Sequence, residues 1–135
     1  MKETNKKIIE EVVDEINSAL NDPKGLVSHQ RRIAFSISIG SIALFEEYLD
    51  KKNILRPGTK INHQWMKKNK ENVKKIISKY LTIPIENLSD VDTVLDILHK
   101  IEFERNELAY GKPVSEEKLN KKINLFLDLK KRFGE

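Results

Sequence analysis

The sequence predicts an all-α protein, an up-and-down bundle of four to five helices. Four short breaks, Asp22-Pro23-Lys24-Gly25, Arg56-Pro57-Gly58-Thr59, Thr82-Ile83-Pro84 and Gly111-Lys112-Pro113, divide the chain into five segments. Each segment is patterned as a helix. With only 5 Gly and 4 Pro, turns are too few for a sandwich or barrel. The alternation Phe35-Ser36-Ile37-Ser38-Ile39 resembles a strand, but no second strand or hairpin signal exists to pair with it.

Segment one, about 4–21, places Ile8, Ile9, Val12, Val13, Ile16, Ala19 and Leu20 on one stripe, with Glu10, Glu11, Asp14 and Glu15 off it. Segment two, about 28–52, opens at Ser28 as an N-cap. It is apolar or small nearly all round from Ile33 to Leu49, so it is the most buried helix. Segment three, about 63–80, carries Met66, Val73, Ile76, Ile77 and Tyr80 on one face, with Trp65 at its edge. Segment four, about 90–109, opens with a capping-box-like Ser89 and Asp92; its stripe is Val91, Val94, Leu95, Leu98, Ile101 and Leu108. Segment five, about 116–133, opens at Ser115 with Glu116 and Glu117 suiting the positive helix end, and buries Leu119, Ile123, Phe126, Leu129 and Phe133. The expected organisation is one domain over 1–135, with a core of about 28–133 and the 4–21 helix packed on it.

Composition narrows the function classes. The 135 residues are 39% hydrophobic and 34% charged, which suits a folded, strongly charged domain. The absence of cysteine excludes disulfides, thiolate metal sites and cysteine nucleophiles. Three histidines leave few ways to build a metal site, and none is expected. There is no phosphate-cradling Gly-rich loop, nucleophile elbow or metalloprotease motif, so no cofactor is expected. No apolar run reaches a membrane-spanning length and the first residues are polar, so the expected location is the cytoplasm with no membrane partner.

The net charge is a mild +4, and its distribution says more. From Lys60 to Lys79 there are seven Lys against one Glu, with Lys67, Lys70 and Lys74 on the face opposite Met66, Val73 and Ile77. Such a face either follows a phosphate backbone or is simply solvated. Lys121, Lys122, Lys130, Lys131 and Arg132 form a second basic cluster. Segment four is acidic, and Asp92 and Asp96, one turn apart, are taken as surface.

One constellation stands apart. At roughly 100° per residue, Arg105 falls near the centre of the apolar stripe of segment four, with Glu102 at its edge and within reach. A charge there is costly unless it is paired or placed at a cleft or interface. Either Glu102 and Arg105 form a structural ion pair, or Arg105 serves a site. His99 lies off the stripe and is expected to be exposed; His29 and His63, each at a helix start, are expected to cap or face solvent.

The string Glu104-Arg105-Asn106-Glu107-Leu108-Ala109-Tyr110-Gly111 resembles the motif of the HEPN domain family, small helical bundles found in RNases, toxins and nucleotide-associated proteins. Arg105 matches the motif arginine and Asn106 its polar neighbour; Tyr110 stands where the family has histidine, and Glu102 takes an upstream acidic place. The resemblance implies a homodimer whose motif arginines meet in a cleft, and RNA or a nucleotide as ligand. It makes Arg105, Asn106 and Tyr110 the catalytic positions of a metal-independent ribonuclease and gives Glu102 a binding role; the basic face of segment three adds Lys67, Lys70 and Lys74 as binding residues. A tyrosine hydroxyl is a poor base at neutral pH, so the expectation is weak catalysis or none. The alternative is a non-enzymatic adaptor: an antitoxin-like bundle or the accessory partner of a nucleotidyltransferase.

Overall fold

The computed structural model describes residues 3–134; Met1, Lys2 and Glu135 of the expected domain lie outside them. The chain forms α1 (Glu3–Leu20), α2 (Gln30–Lys51), α3 (Lys70–Ser78), α4 (Val91–Phe103), α5 (Arg105–Tyr110) and α6 (Glu116–Arg132). Short 3-10 turns lie at Leu26–His29, His63–Lys67 and Ile85–Asn87. Among the described residues the only β pairing is an isolated bridge between Leu55 and Leu81. The all-α bundle expected from the sequence is the fold observed. Among the described residues no helix is long and apolar enough to cross a membrane.

Helix α2 is the hub and touches α1, α4, α5 and α6. The contacts set the directions. Asn5 meets Glu46 while Glu15 meets Arg32, so α1 runs antiparallel to α2. Gln30 reaches the Leu108 carbonyl while Ser38 reaches Glu102, so α4–α5 also runs against α2. Helix α6 packs against α4 with Lys118 and Lys122 on Glu104, and Phe133 stacks near Phe45 and Tyr48. These four rods form an up-and-down bundle. Its core includes Ile33, Leu44, Phe45, Leu49, Leu98, Leu119, Ile123, Phe126 and Leu129. Gly40 is where α2 approaches its neighbours most closely: a Cβ there would lie 2.8 Å from both Phe126 and Val12.

Two expected helices are broken, each by side chains that compete for backbone groups. Segment three is not one helix over 63–80. Asn62 accepts from the Gln64 amide and Asn69 from the Asn72 amide, so one opens a 3-10 turn and the other caps α3. Segment four breaks at Glu104, between α4 and α5. An unbroken helix would give the Lys100 carbonyl to the Glu104 amide; that carbonyl instead accepts from the Lys122 ammonium at 2.9 Å. Lys122 also bonds the Glu104 carboxylate and is itself buried, so it is no part of a solvated basic cluster.

The caps divide similarly. Ser115 accepts from the Lys118 amide, as its position implies. Ser28 does not cap α2: its hydroxyl donates to the Gly25 carbonyl, and α2 starts at Gln30 without a side-chain cap. The Ser89/Asp92 box does not form either; Asp90, at φ 58°, precedes α4, and Asp92 turns to Lys74. Leu20, expected on the α1 stripe, is half exposed to solvent (51%).

Gly40→Ala should destabilise the fold by about 1–2 kcal/mol, overpacking against Phe126 and Val12 outweighing the helix-propensity gain; chemical denaturation measures it. The Lys122 and Lys118 ammonium groups hold the Glu104 carboxyl below the usual carboxylate range. Its folded form therefore favours the anion, and its contribution is present above the ordinary glutamate value and lost as pH falls through the lowered one. Glu104→Gln should lower stability at neutral pH by about 1–3 kcal/mol, leaving Lys122 without its anion, and should flatten the acid limb of stability against pH, read from urea midpoints.

Candidate functional site

The seam between α2 and α4–α5 holds the residues singled out from the sequence, in arrangements that differ from the expected ones. Arg105 and Glu102 do not pair. Glu102 is 2% exposed, and both its oxygens are engaged across the bundle. Oε2 accepts from the Ser38 hydroxyl at 2.7 Å, and Oε1 meets His63 Nδ1 at 2.6 Å. Ser38 lies on α2, and His63 comes from the connection after it. Neither is adjacent to Glu102 in sequence, which is why spacing along one helix could not reveal them.

After the break at Glu104, Arg105 still borders the apolar seam, lining a small gap with Ile33, Ala34, Ile37, Ile101 and Leu108. Its guanidinium lies 4.8 Å from the centre of the Phe35 ring, and Nη1 donates to Asn106 Oδ1 at 2.9 Å. Nε is buried and meets no acceptor among the described residues. Asn106, expected to act beside Arg105 on a ligand, holds the guanidinium instead. Tyr110 is 71% exposed and meets the edge of Phe35, ring centres 5.8 Å apart. Arg31 lies one turn before Phe35 on α2 and is exposed. Arg105, Phe35 and Tyr110 together place a cation and two aromatic rings side by side.

Gln30 fixes the far end of that face. It is buried, donates to the Leu108 and Lys112 carbonyls and accepts from the Val114 amide. The end of α5 and the Gly111–Val114 turn are thereby tied to α2. A cleft of about 300 Å³ beside this tie is lined by Ser28, Gln30, Arg31, Arg32, Gly111 and Pro113.

Two lysines of the basic face of segment three are paired, while Lys67, Lys68, Lys75 and Lys79 are exposed. Lys74 Nζ lies 2.7 Å from Asp92, and Lys70 Nζ 3.1 Å from Asp96. The Asp92 bond lifts the Lys74 pKa and depresses that of Asp92. The acids of segment four and the lysines of segment three, taken separately from the sequence, thus meet across the α3–α4 contact. Lys67 alone of the three proposed binding lysines is fully exposed. A cleft of about 940 Å³ between α4 and α6 has Lys118 and Lys122 on Glu104 and Lys121 3.8 Å from Glu117, so most of its cations face carboxylates already.

The other histidines also depart from expectation. His29 neither caps nor faces solvent: it is buried, with Nε2 2.7 Å from Asp22 and Nδ1 3.2 Å from Glu15. The Lys24 amide and His29 keep the Asp22 carboxyl below its usual value. His99 is half-buried and donates from Nδ1 to the Met66 carbonyl at 2.8 Å, which joins α4 to the 63–67 turn. Trp65 stacks on Tyr80 with ring centres 5.4 Å apart and packs against the core.

Comparisons of the chain with protein-family models, with curated proteins and with solved structures return no match.

Removing Glu102 and removing Arg105 should have unequal effects on stability. Glu102→Ala leaves Ser38 and His63 without their acceptor and should cost about 1–3 kcal/mol for each lost bond. Arg105→Ala loses a ring contact worth about 0.5–1 kcal/mol. Thermal melts of the two variants side by side check this.

Proposed function

We propose that this chain is a HEPN-like helical domain that binds RNA or a nucleotide on the face formed by Arg105, Phe35 and Tyr110, as a homodimer joined along that face. The observation that carries the reading is the state of Arg105. Lys70, Lys74, Lys118 and Lys122 each face a carboxylate, and Glu102 is committed elsewhere. Arg105 faces no carboxylate: its guanidinium meets an amide oxygen and a ring face. A planar, permanently charged fork suits phosphate oxygens, and the exposed Tyr110 ring nearby suits stacking on a base.

Ile39, Phe103 and Tyr110 are large, exposed and apolar, and all belong to α2 or α4–α5. A second copy covering that side would bring two Arg105 guanidinium groups near one ligand. The same residues favour the second reading, an adaptor whose apolar side meets a different protein. In either case Tyr110 supplies no base at neutral pH, so the motif by itself binds rather than cleaves.

Fluorescence anisotropy with labelled single-stranded RNA, and competition by mononucleotides, tests the binding. The expected outcome is salt-sensitive binding that Arg105→Ala weakens about 10-fold or more, the loss of a charge-assisted contact. Phe35→Ala should weaken it as well. Absence of binding at about 100 µM protein, the weak end of non-specific nucleic-acid affinity, sinks the reading in favour of the adaptor. Sedimentation equilibrium should show a dimer, and Phe103→Asp should shift it toward monomer.

A further inference from the structure

We infer that His63, held by the buried carboxylate of Glu102, anchors a binding site in the groove between α1 and α2, and that this site takes a small neutral molecule with an apolar body and a hydroxyl group, such as a phenol. The site stands apart from the RNA-binding reading, since neither Arg105 nor Phe35 lines the groove.

The hydrogen bonds of Glu102 fix what His63 offers. The carboxylate is 2% exposed and is met at both oxygens. The Ser38 hydroxyl donates to Oε2 at 2.7 Å, and His63 Nδ1 lies 2.6 Å from Oε1. A carboxylate accepts in such a pair, so Nδ1 carries the proton, and in the neutral ring the lone pair is left on Nε2. Nε2 meets no partner among the described residues, and the His63 side chain is 30% exposed. The fold thus presents an oriented acceptor without supplying its donor. His29, by contrast, has both nitrogens engaged by carboxylates. Nor is His63 needed to hold its connection in place. The Ile61 amide donates to Glu46, the Arg56 amide to the Tyr80 carbonyl and the Thr82 amide to the Ile54 carbonyl.

The surroundings of His63 set the class of ligand. The groove measures about 430 Å³, within the range of small-molecule sites. Ile8 of α1 and Ile39, Ile42 and Ala43 of α2 form its apolar lining. Ile39 is 46% exposed, so a body laid against it removes apolar surface from water. The charges disfavour an ion. Glu46 lines the groove and Glu102 stands behind the imidazole, both buried, and two such carboxylates oppose an anion beside His63. Lys60, also on the lining, is exposed, and solvent screens it. An ammonium fares no better. Glu46 is already taken by the Asn5 side-chain amide at 3.1 Å and the Ile61 amide at 2.7 Å, and the isoleucine walls would strip a cation of water. A neutral O–H meets each condition: it donates to Nε2 while the rest of the molecule lies on the isoleucines.

The test compares 4-methylphenol with its methyl ether, which keeps the apolar body and lacks the O–H. Each is titrated into isotope-labelled protein at about pH 8.5, on the basic side of an ordinary histidine, and followed by NMR. The phenol should shift the amide signals of Asn5, Ile8, Ile39 and Ile61, with a Kd on the order of 1 mM, as suits so small a ligand. The ether should bind about fivefold more weakly, the worth of one hydrogen bond. The His63 Nε2 signal should move with the phenol and stay in place with the ether. His63→Asn keeps a donor for Glu102 and removes Nε2, so it should leave the thermal melt nearly unchanged and abolish the preference for the phenol. Phe103→Asp is titrated as well, so that a second copy covering Ile39 does not hide the groove. No shift at the groove in either protein at about 10 mM probe, equal affinity for phenol and ether, or an undiminished preference in folded His63→Asn overturns the inference. If His63→Asn does not fold, the wild-type Nε2 signal decides alone. RNA binding at Arg105 is measured separately, and neither result bears on the other.

Discussion

Helix α2 packs against α1, α4, α5 and α6, and that constraint organises the molecule. Ile33, Ala34, Ile37, Leu44, Phe45 and Leu49 supply the apolar contacts, and Gly40 lets α1 and α6 come close. Apolar burial drives such a helix inward without selecting its register, because the hydrophobic effect has no direction. Register comes from the polar groups that α2 takes into the interior. Gln30 holds the α5 end, Ser38 holds Glu102, and Glu46 holds Asn5 and the Ile61 amide. Each is a buried group whose bonds must be met, and a slip of one turn would leave them unmet.

The same logic places the candidate site. The helix break at Glu104 is part of the α4–α6 ion-pair arrangement, since Lys122 takes both the carboxylate and the Lys100 carbonyl. Beside it, Arg105 lies on Phe35, and Glu102 meets Ser38 and His63. One buried lysine on α6 thus bears on how two charged residues three positions apart are separated. A continuous helix would have kept them within pairing distance.

Much of the helical content was legible from periodicity. Ile9, Val12, Ile16 and Ala19 of α1, and Leu119, Ile123, Phe126, Leu129 and Phe133 of α6, are buried as their spacing implies. The breaks in segments three and four were not, although Asn62 and Asn69 stood at positions where an asparagine side chain competes for amide protons. Arg105 was legible as unusual from its azimuth alone. Its actual partner, Phe35, lies 70 residues away in sequence and carries no local signature.

By itself the sequence determined the all-α class, the central position of α2 and the exclusion of cysteine chemistry, because these follow from residue types and their spacing along the chain. Only the tertiary structure decided which charges neutralise one another. Lys70 and Lys74 were a phosphate track or a solvated face until α4 brought Asp92 and Asp96 against them. His63 was a residue at a helix start until folding set it on Glu102. Pairing between charged side chains depends on distances of a few ångströms across elements far apart in the chain, and one-dimensional spacing contains no such distances.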